Sequence, residues 1–267
     1  MSDAVSWTGF AGDALRLAPG RIARLQLNQP EKHNAISLAM WRGLPEVLAA
    51  VEADRSIRAL VVEGAGGKAF CAGADISEFA DVYATRESTA RYGAHVHEAQ
   101  ARLRALPRPT IALVEGVCVG GGCGIALACD LRFASSAARF GITPAKLGLA
   151  YSRSDTAQLI EKVGPARAKD ILFSGRLMDA GEALAIGLVD RVYAPQDVRA
   201  QTMAYADSVA SVSQTSILIA KTVVNALAEL GTTDDARLDE LVSTAFDGED
   251  FHEGYRAFLE KRKPRFQ

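Results

Sequence analysis

Residues Val114 to Asp130 read VEGVCVGGGCGIALACD and place three consecutive glycines, Gly120 to Gly122, between an apolar run and an Ala-rich segment. The run TIALVEG, which follows Pro109, has the length and composition of a buried strand, and Cys123 to Cys129 reads as the start of a helix rich in Ala and Leu. Glycine at such a corner permits unusual φ values and close approach of the backbone to a ligand. The first N–H groups of a helix lack intrahelical partners and sit at the positive end of its dipole, so this turn favours an oxyanion or an anionic group. Those are the physical elements of an oxyanion hole. Glycine-rich strand-to-helix turns also cradle nucleotide phosphates. Here, however, there is no GxxxxGKS/T, and no GxGxxG followed by an acidic residue at the end of the next strand. A glycine corner that serves only tight packing stays open on this motif alone.

Outward from this stretch the same order of elements recurs. Near the start, ALRLAPGRIARLQLN (14–28) alternates apolar and polar positions around Pro19-Gly20 and predicts a hairpin. Ser37 to Asp54 has helical periodicity, with Ser37 as N-cap and Met40, Leu44, Val47, Leu48 and Val51 on one stripe. RALVVE (58–63) is a short buried strand ended by Gly64-Ala65-Gly66-Gly67. Further short strands are expected at Asp130 to Ala134, Ala138 to Phe140 and Val189 to Tyr193, and from about Gln196 onward the signal is helical. The expectation is a run of repeated short βα units in an α/β core over residues 1–195 and a helical region over 196–267. No internal repeat or low-complexity tract marks a linker.

Composition narrows the function classes. With 30 Lys+Arg against 32 Asp+Glu and a net charge of −2, the 267-residue chain has no excess of positive charge for a nucleic-acid partner. No stretch reaches the ~18 apolar residues of a membrane span. The segment MSDAVSWTGFAGDALRL lacks a basic region followed by an apolar one, so a soluble cytoplasmic protein is expected. Cys71, Cys118, Cys123 and Cys129 have neither CxxC nor zinc-ligand spacing and read as reduced, buried thiols. No metal site is expected. His95 and His97 stand two apart in a helical-looking segment and cannot share a helix face, so zinc is disfavoured there as well.

A second strand-to-turn motif, AFCAGADISEF (69–79), precedes the glycine corner by about fifty residues. Together with NQPEKHNAIS (28–37), FGITPAKLGL (140–149), GRLMDAGEALAIGLVDRV (175–192) and EKRKPRF (260–266), the two motifs resemble the crotonase (enoyl-CoA hydratase/isomerase) superfamily over essentially the whole chain. The resemblance implies a crotonase-like spiral of ββα units with C-terminal helices that assemble homotrimers, often paired into hexamers. It also implies an acyl-CoA thioester as substrate, with its oxygen held by the N–H groups of Ala74 and Gly121. No cofactor is implied, because coenzyme A is part of the substrate. Lys32, Ala35, Ala72, Asp75 and Ile76 are expected near the CoA moiety, and Phe258 and Lys261 are expected to reach a neighbouring subunit's CoA.

Two departures bear on the reaction. Hydratases of the family carry glutamates at the positions of Gly124 and Ala145, and these are the acid and base of hydration, each contributing about 10²–10⁴ in rate. Tyr151 matches a tyrosine of the methylmalonyl-CoA decarboxylases of the superfamily, and loss of CO2 makes an enolate without a base. The expected function is therefore enolate chemistry on an acyl-CoA, decarboxylation of a malonyl-CoA-type substrate included. The alternatives are a hydratase or isomerase with a non-standard acid/base and a non-catalytic acyl-CoA-binding homologue. Asp155 is a candidate substitute carboxylate or a helix cap. His95 or His97 could border the acyl pocket, and Lys146 and Arg153 could attract a substrate carboxylate.

Overall fold

The computed structural model describes residues 6–228, 235–244 and 248–266. The first five residues, which entered the reading of the N-terminus, and Gln267 of the basic tail lie outside these ranges. The chain opens with β1 (Thr8–Phe10), β2 (Leu15–Ala18) and β3 (Ile22–Leu27), an antiparallel meander in which Leu15 pairs with Leu27 and Ala18 with Arg24 across the Pro19-Gly20 turn. α1 (Leu38–Ala53) starts where Ser37 accepts the Met40 N–H, and its stripe of Met40, Leu44, Val47, Leu48 and Val51 is buried.

Three ββα units follow. β4 (Ala59–Gly64) and β5 (Ala69–Cys71) lead to α2 (Phe79–Val82) and α3 (Arg86–Ala105); β6 (Thr110–Val114) and β7 (Val117–Val119) lead to α4 (Gly121–Ala128); β8 (Leu131–Ser135) and β9 (Arg139–Gly141) lead to α5 (Arg153–Ser174). After α5, which kinks at Gly164-Pro165, come β10 (Met178–Asp179), α6 (Ala180–Ala185) and β11 (Arg191–Tyr193). The chain then turns helical with α7 (Val198–Ala210), α8 (Gln214–Ala228), α9 (Asp235–Thr244) and α10 (Glu249–Leu259).

In each ββα unit the first strand enters one sheet and the second enters another. The larger sheet has the order β1-β2-β3-β4-β6-β8-β11, parallel from β3 onward, and the smaller has β10-β9-β7-β5. The central strands β4 and β6 are buried along their whole length because the sheet is covered on both faces. Leu60, Val62, Ala112 and Val114 point into the main core, while Ala59, Val61, Ile111, Leu113 and Phe133 pack beneath Val198 and Ala206 of α7. Thus α7, although it lies in the 196–267 region, closes the core of the sheet. Among the described residues no helix is long and apolar enough to cross a membrane.

Candidate active site

The two strand-to-turn motifs meet because their strands are neighbours. β5 pairs in parallel with β7, Ala69 with Val117 and Cys71 with Cys118, so the turns that leave both strands emerge at one edge. Gly120 caps α4 with φ 53° and ψ −115°, a conformation open to glycine, and accepts the Gly124 N–H. The helix therefore begins at Gly121, two residues earlier than Ala/Leu content alone suggests, and Gly121 is its first residue. Gly122 lies so close to the preceding turn that a Cβ on it would stand 2.5 Å from the Cys71 carbonyl oxygen.

Across the gap, Ile36 forms a parallel bridge with Ala74: the Ile36 N–H donates to the Gly73 carbonyl, and the Asp75 N–H to the Ile36 carbonyl. That register turns the Ala74 N–H away from the bridge. Among the described residues neither the Ala74 nor the Gly121 N–H has a backbone acceptor outside the regular elements. A Cβ on Gly121 would stand 3.8 Å from the Ala74 nitrogen. The Ala74 nitrogen thus lies beside the first residue of a helix, whose free N–H groups sit at the positive end of its dipole.

Both residues line a cavity of about 360 Å³. Its apolar wall comes from Trp41, Phe79, Tyr83, Tyr92, Val96 and Leu149. The Trp41 Nε1–H donates to the Tyr92 hydroxyl at 3.2 Å, and burial pushes that hydroxyl up to about 12. His97 borders the cavity; His95, Lys146 and Arg153 do not. Ala145 is exposed and also lies outside the lining.

The polar side of the cavity is built from three elements. Tyr151 lies in the segment before α5, and its hydroxyl is buried with no hydrogen-bond partner among the described residues. Burial, then the charge of Asp155, hold that hydroxyl well above the ordinary tyrosine range, so it is a proton donor and not a base at neutral pH. Ser152 caps α5 and accepts the Asp155 N–H, while its own hydroxyl donates to Asp155 Oδ2 at 2.6 Å. Asp155 is therefore tied into the helix start, but not entirely. Among the described residues its Oδ1 is buried without an aligned hydrogen-bond partner, as are both amide atoms of Gln100 on α3. Burial raises the Asp155 carboxyl above the usual carboxylate range, opposed by Ser152, Gln100 and His97.

Sequence reasoning did not single out Gln100, Trp41 or Tyr92. Gln100 carried a usable signal: it is a polar residue on the face of α3 that buries Tyr92, Ala99 and Leu103.

The family model described as enoyl-CoA hydratase/isomerase matches residues 18–267. The chain belongs to that family. It is 38% identical over 250 residues to a Rhizobium meliloti protein named "Probable enoyl-CoA hydratase", covering 93% of this chain and 95% of that one. It is 34% identical to the short-chain-enoyl-CoA hydratase of Clostridium acetobutylicum over 245 residues, 91% of this chain and 93% of the other. Among solved structures, an enoyl-CoA hydratase/carnithine racemase from Magnetospirillum magneticum superposes with a TM-score of 0.92 at 38% identity, covering 96% of each chain. The expected crotonase-like α/β fold is thus the fold of this enoyl-CoA hydratase/isomerase family member.

Within this family member, the residues expected near CoA fall into two groups. Lys32, Ala35, Ala72, Asp75 and Ile76 are neighbours, since the Ala72 N–H donates to the His33 carbonyl and Lys32 Nζ lies 2.7 Å from Asp75 Oδ2. Ala72 and Ile76 are exposed and line the cavity. Asp75 is buried and committed: it caps the turn at Ile76–Glu78 through the Ser77 N–H, and the Lys32 ammonium, then Ser77, hold its carboxyl below the usual range. Phe258 and Lys261 are exposed at the end of α10 and outside the cavity lining, so one chain does not bring them to the site. Among the described residues no group of three or more His, Cys, Asp and Glu could hold a metal ion.

Proposed function

We propose that this protein forms and reprotonates the enolate of an acyl-CoA thioester, adding water across a double bond or shifting one, with the Ala74 and Gly121 N–H groups holding the thioester oxygen. The observation that carries this reading is the pair of adjacent N–H donors at the head of α4, opening into a largely apolar cavity. Charge reaches the thioester oxygen only as the α-carbon becomes carbanionic, so donors fixed at that oxygen favour the transition state over the ground state. Tyr151 would act as a neutral hydrogen-bond donor to the acyl group.

Proton transfer is supported over decarboxylation of a malonyl-CoA-type substrate. A substrate carboxylate requires a cation or several donors, yet no Lys or Arg among the described residues lines the cavity. Asp155 adds negative charge there. The names of the relatives, hydratases, point the same way.

Coenzyme A enters as part of the substrate, so this reading requires no resident cofactor and no metal. Lys32, Ala35, Ala72 and Ile76 would flank its pantetheine end, with Asp75 fixing Lys32. Phe258 and Lys261 would serve the site of a neighbouring subunit in a homotrimer or hexamer. In support, α8 and α10 expose Val224, Leu227, Tyr255, Phe258 and Leu259, an apolar surface costly to leave in water. Sedimentation of the purified protein tests the assembly. Four buried free thiols suit a reducing compartment such as the cytoplasm.

The reaction is tested by incubating the protein with crotonyl-CoA, a 3-enoyl-CoA, malonyl-CoA and methylmalonyl-CoA and weighing the products. Gain of water from crotonyl-CoA, or an isomer of unchanged mass from the 3-enoyl-CoA, is expected. Loss of CO2 from either dicarboxylic thioester would make it a decarboxylase, and binding without any product would make it a non-catalytic acyl-CoA-binding protein.

A further inference from the structure

We propose that Asp155 is the catalytic acid–base of this site and that Gln100 positions its carboxylate, the two together occupying the space that Gly124 leaves open. The proposal rests on the enolate reading above and adds to it the group that moves the proton.

A Cβ on Gly124 would stand 2.3 Å from Gln100 Nε2 and 2.9 Å from Asp155 Oδ1. Two side chains from different helices, α3 and α5, therefore converge on one point of α4, three residues past the oxyanion donor Gly121. Asp155 is 6% exposed and Gln100 2% exposed. Buried polar atoms are almost always paired, because an unpaired one costs about 1–3 kcal/mol. Here three of them, Asp155 Oδ1 and both Gln100 amide atoms, lack an aligned partner. Gln100 nonetheless stands near enough to favour the ionised carboxyl, so it acts on Asp155 without closing off Oδ1. Asp155 is also the one carboxylate among the described residues that lines the cavity.

A purely structural Asp155 would hold the Ser152 cap of α5 and no more. That accounts for Oδ2, which accepts from the Ser152 hydroxyl, and leaves Oδ1 unexplained. Burial raises the carboxyl above the usual carboxylate range, which makes it a stronger base than a solvated aspartate, the direction a general acid–base needs. The titratable groups around it are His97 on α3, Tyr151 before α5 and, behind Tyr151, Cys118 on β7 and Cys123 on α4.

In the step proposed, Asp155 Oδ1 takes a proton from the α-carbon. The C–H electron pair becomes the enolate double bond, and the carbonyl π pair moves onto the oxygen held by Ala74 and Gly121. Return of a proton to the α-carbon, or to the γ-carbon of an unsaturated chain, restores the carboxylate. No oxidant, reductant or co-reactant is consumed.

The test is exchange of the α-hydrogens of butyryl-CoA in D2O, read by mass, which needs an enolate and a base but no knowledge of the natural acyl chain. Asp155→Asn should slow exchange by about 10²–10⁴-fold, with butyryl-CoA binding, measured by titration calorimetry, kept within a few-fold. Asp155→Glu should restore part of the rate. Gln100→Leu should shift the pH limb of exchange to higher pH, because it removes a partner of the ionised form. Exchange by Asp155→Asn at the wild-type rate, with Gly121→Pro inactive, would overturn the role of Asp155 and leave the enolate reading standing. No exchange and no product from the wild-type protein on any thioester overturns both. Should Asp155→Asn fail to fold, the wild-type pH profile decides: an inflection above the ordinary carboxylate range supports Asp155, and a flat profile overturns it.

Discussion

The Oδ1 atom of Asp155 lies 2.9 Å from the point at which Gly124 would carry a Cβ. This glycine keeps two buried polar side chains close together at the bottom of the cavity, and the first prediction follows from it. Gly124→Ala should lower stability by about 1–3 kcal/mol through overpacking, read from urea denaturation midpoints. Gln100 Nε2 is the nearest obstacle, so the cost should shrink in the Gly124→Ala/Gln100→Ala double variant, a non-additivity that distinguishes direct contact from a general backbone effect.

Gly121→Pro removes the N–H proposed to hold the thioester oxygen, at a position where proline suits a helix, since Gly121 is the first residue of α4 and its N–H has no intrahelical acceptor. Turnover of the thioester that the wild-type protein transforms should fall by about 10²–10³-fold. Thermal unfolding should move far less than it does for Gly124→Ala. Equal turnover in the two proteins would remove Gly121 from the site.

Asp155 also makes stability depend on pH. Its carboxyl is raised in the folded chain, so between the ordinary aspartate value and the raised one the folded state holds more protons than the unfolded state. Stability is then greatest below that window and is lost as pH rises through it. Asp155→Asn should flatten this decline in denaturation curves taken from acid to neutral pH. A decline of the same slope in the variant would assign it to other groups.

Arg199 of α7 donates to the fully buried Glu63 of β4 at 2.6 Å and to Glu115 at 2.8 Å, and Arg24 reaches Glu63 from β3. Arg199→Ala should cost about 1.5–3 kcal/mol, the range for hydrogen bonds to charged groups. Truncation after residue 195 goes further, because it uncovers Ala59, Val61, Ile111, Leu113 and Phe133 as well. That fragment should be insoluble or molten by circular dichroism, despite containing every strand.

All four cysteines are free and buried, and burial, the largest influence, pushes the Cys71 and Cys129 thiols up to about 12. A thiol reagent should therefore label none of them in the native protein at neutral pH and all four in denaturant. Fast labelling of the native chain would show that this part of the core opens.

Much of the architecture was legible in local patterns. The hairpin at Pro19-Gly20, the Ser37 cap and the short apolar runs in RALVVE (58–63) and TIALVEG (110–116) each depend on a few consecutive residues, and strands or caps form there. Ala74 and Gly121 were reached by resemblance to the family and not by local pattern, and their proposed role needs only a backbone N–H in the right turn and no particular side chain. Other site residues were harder to find. Tyr151 and Asp155 were visible as candidates, but whether their polar atoms are paired depends on Ser152, Gln100 and burial. Gln100 itself reads as an ordinary polar residue on a helix until its neighbours are known.

What the sequence determined by itself was thus the set of strand-to-turn-to-helix pieces, their order, and a glycine corner at the head of a helix, all matters of backbone preference and apolar spacing over short distances. Only the tertiary structure decided that β5 lies beside β7, so that turns about fifty residues apart face each other, and that α3 and α5 send Gln100 and Asp155 into the room beside Gly124. Those relationships join elements distant along the chain, and they are settled by which faces bury against which, a property no single segment encodes.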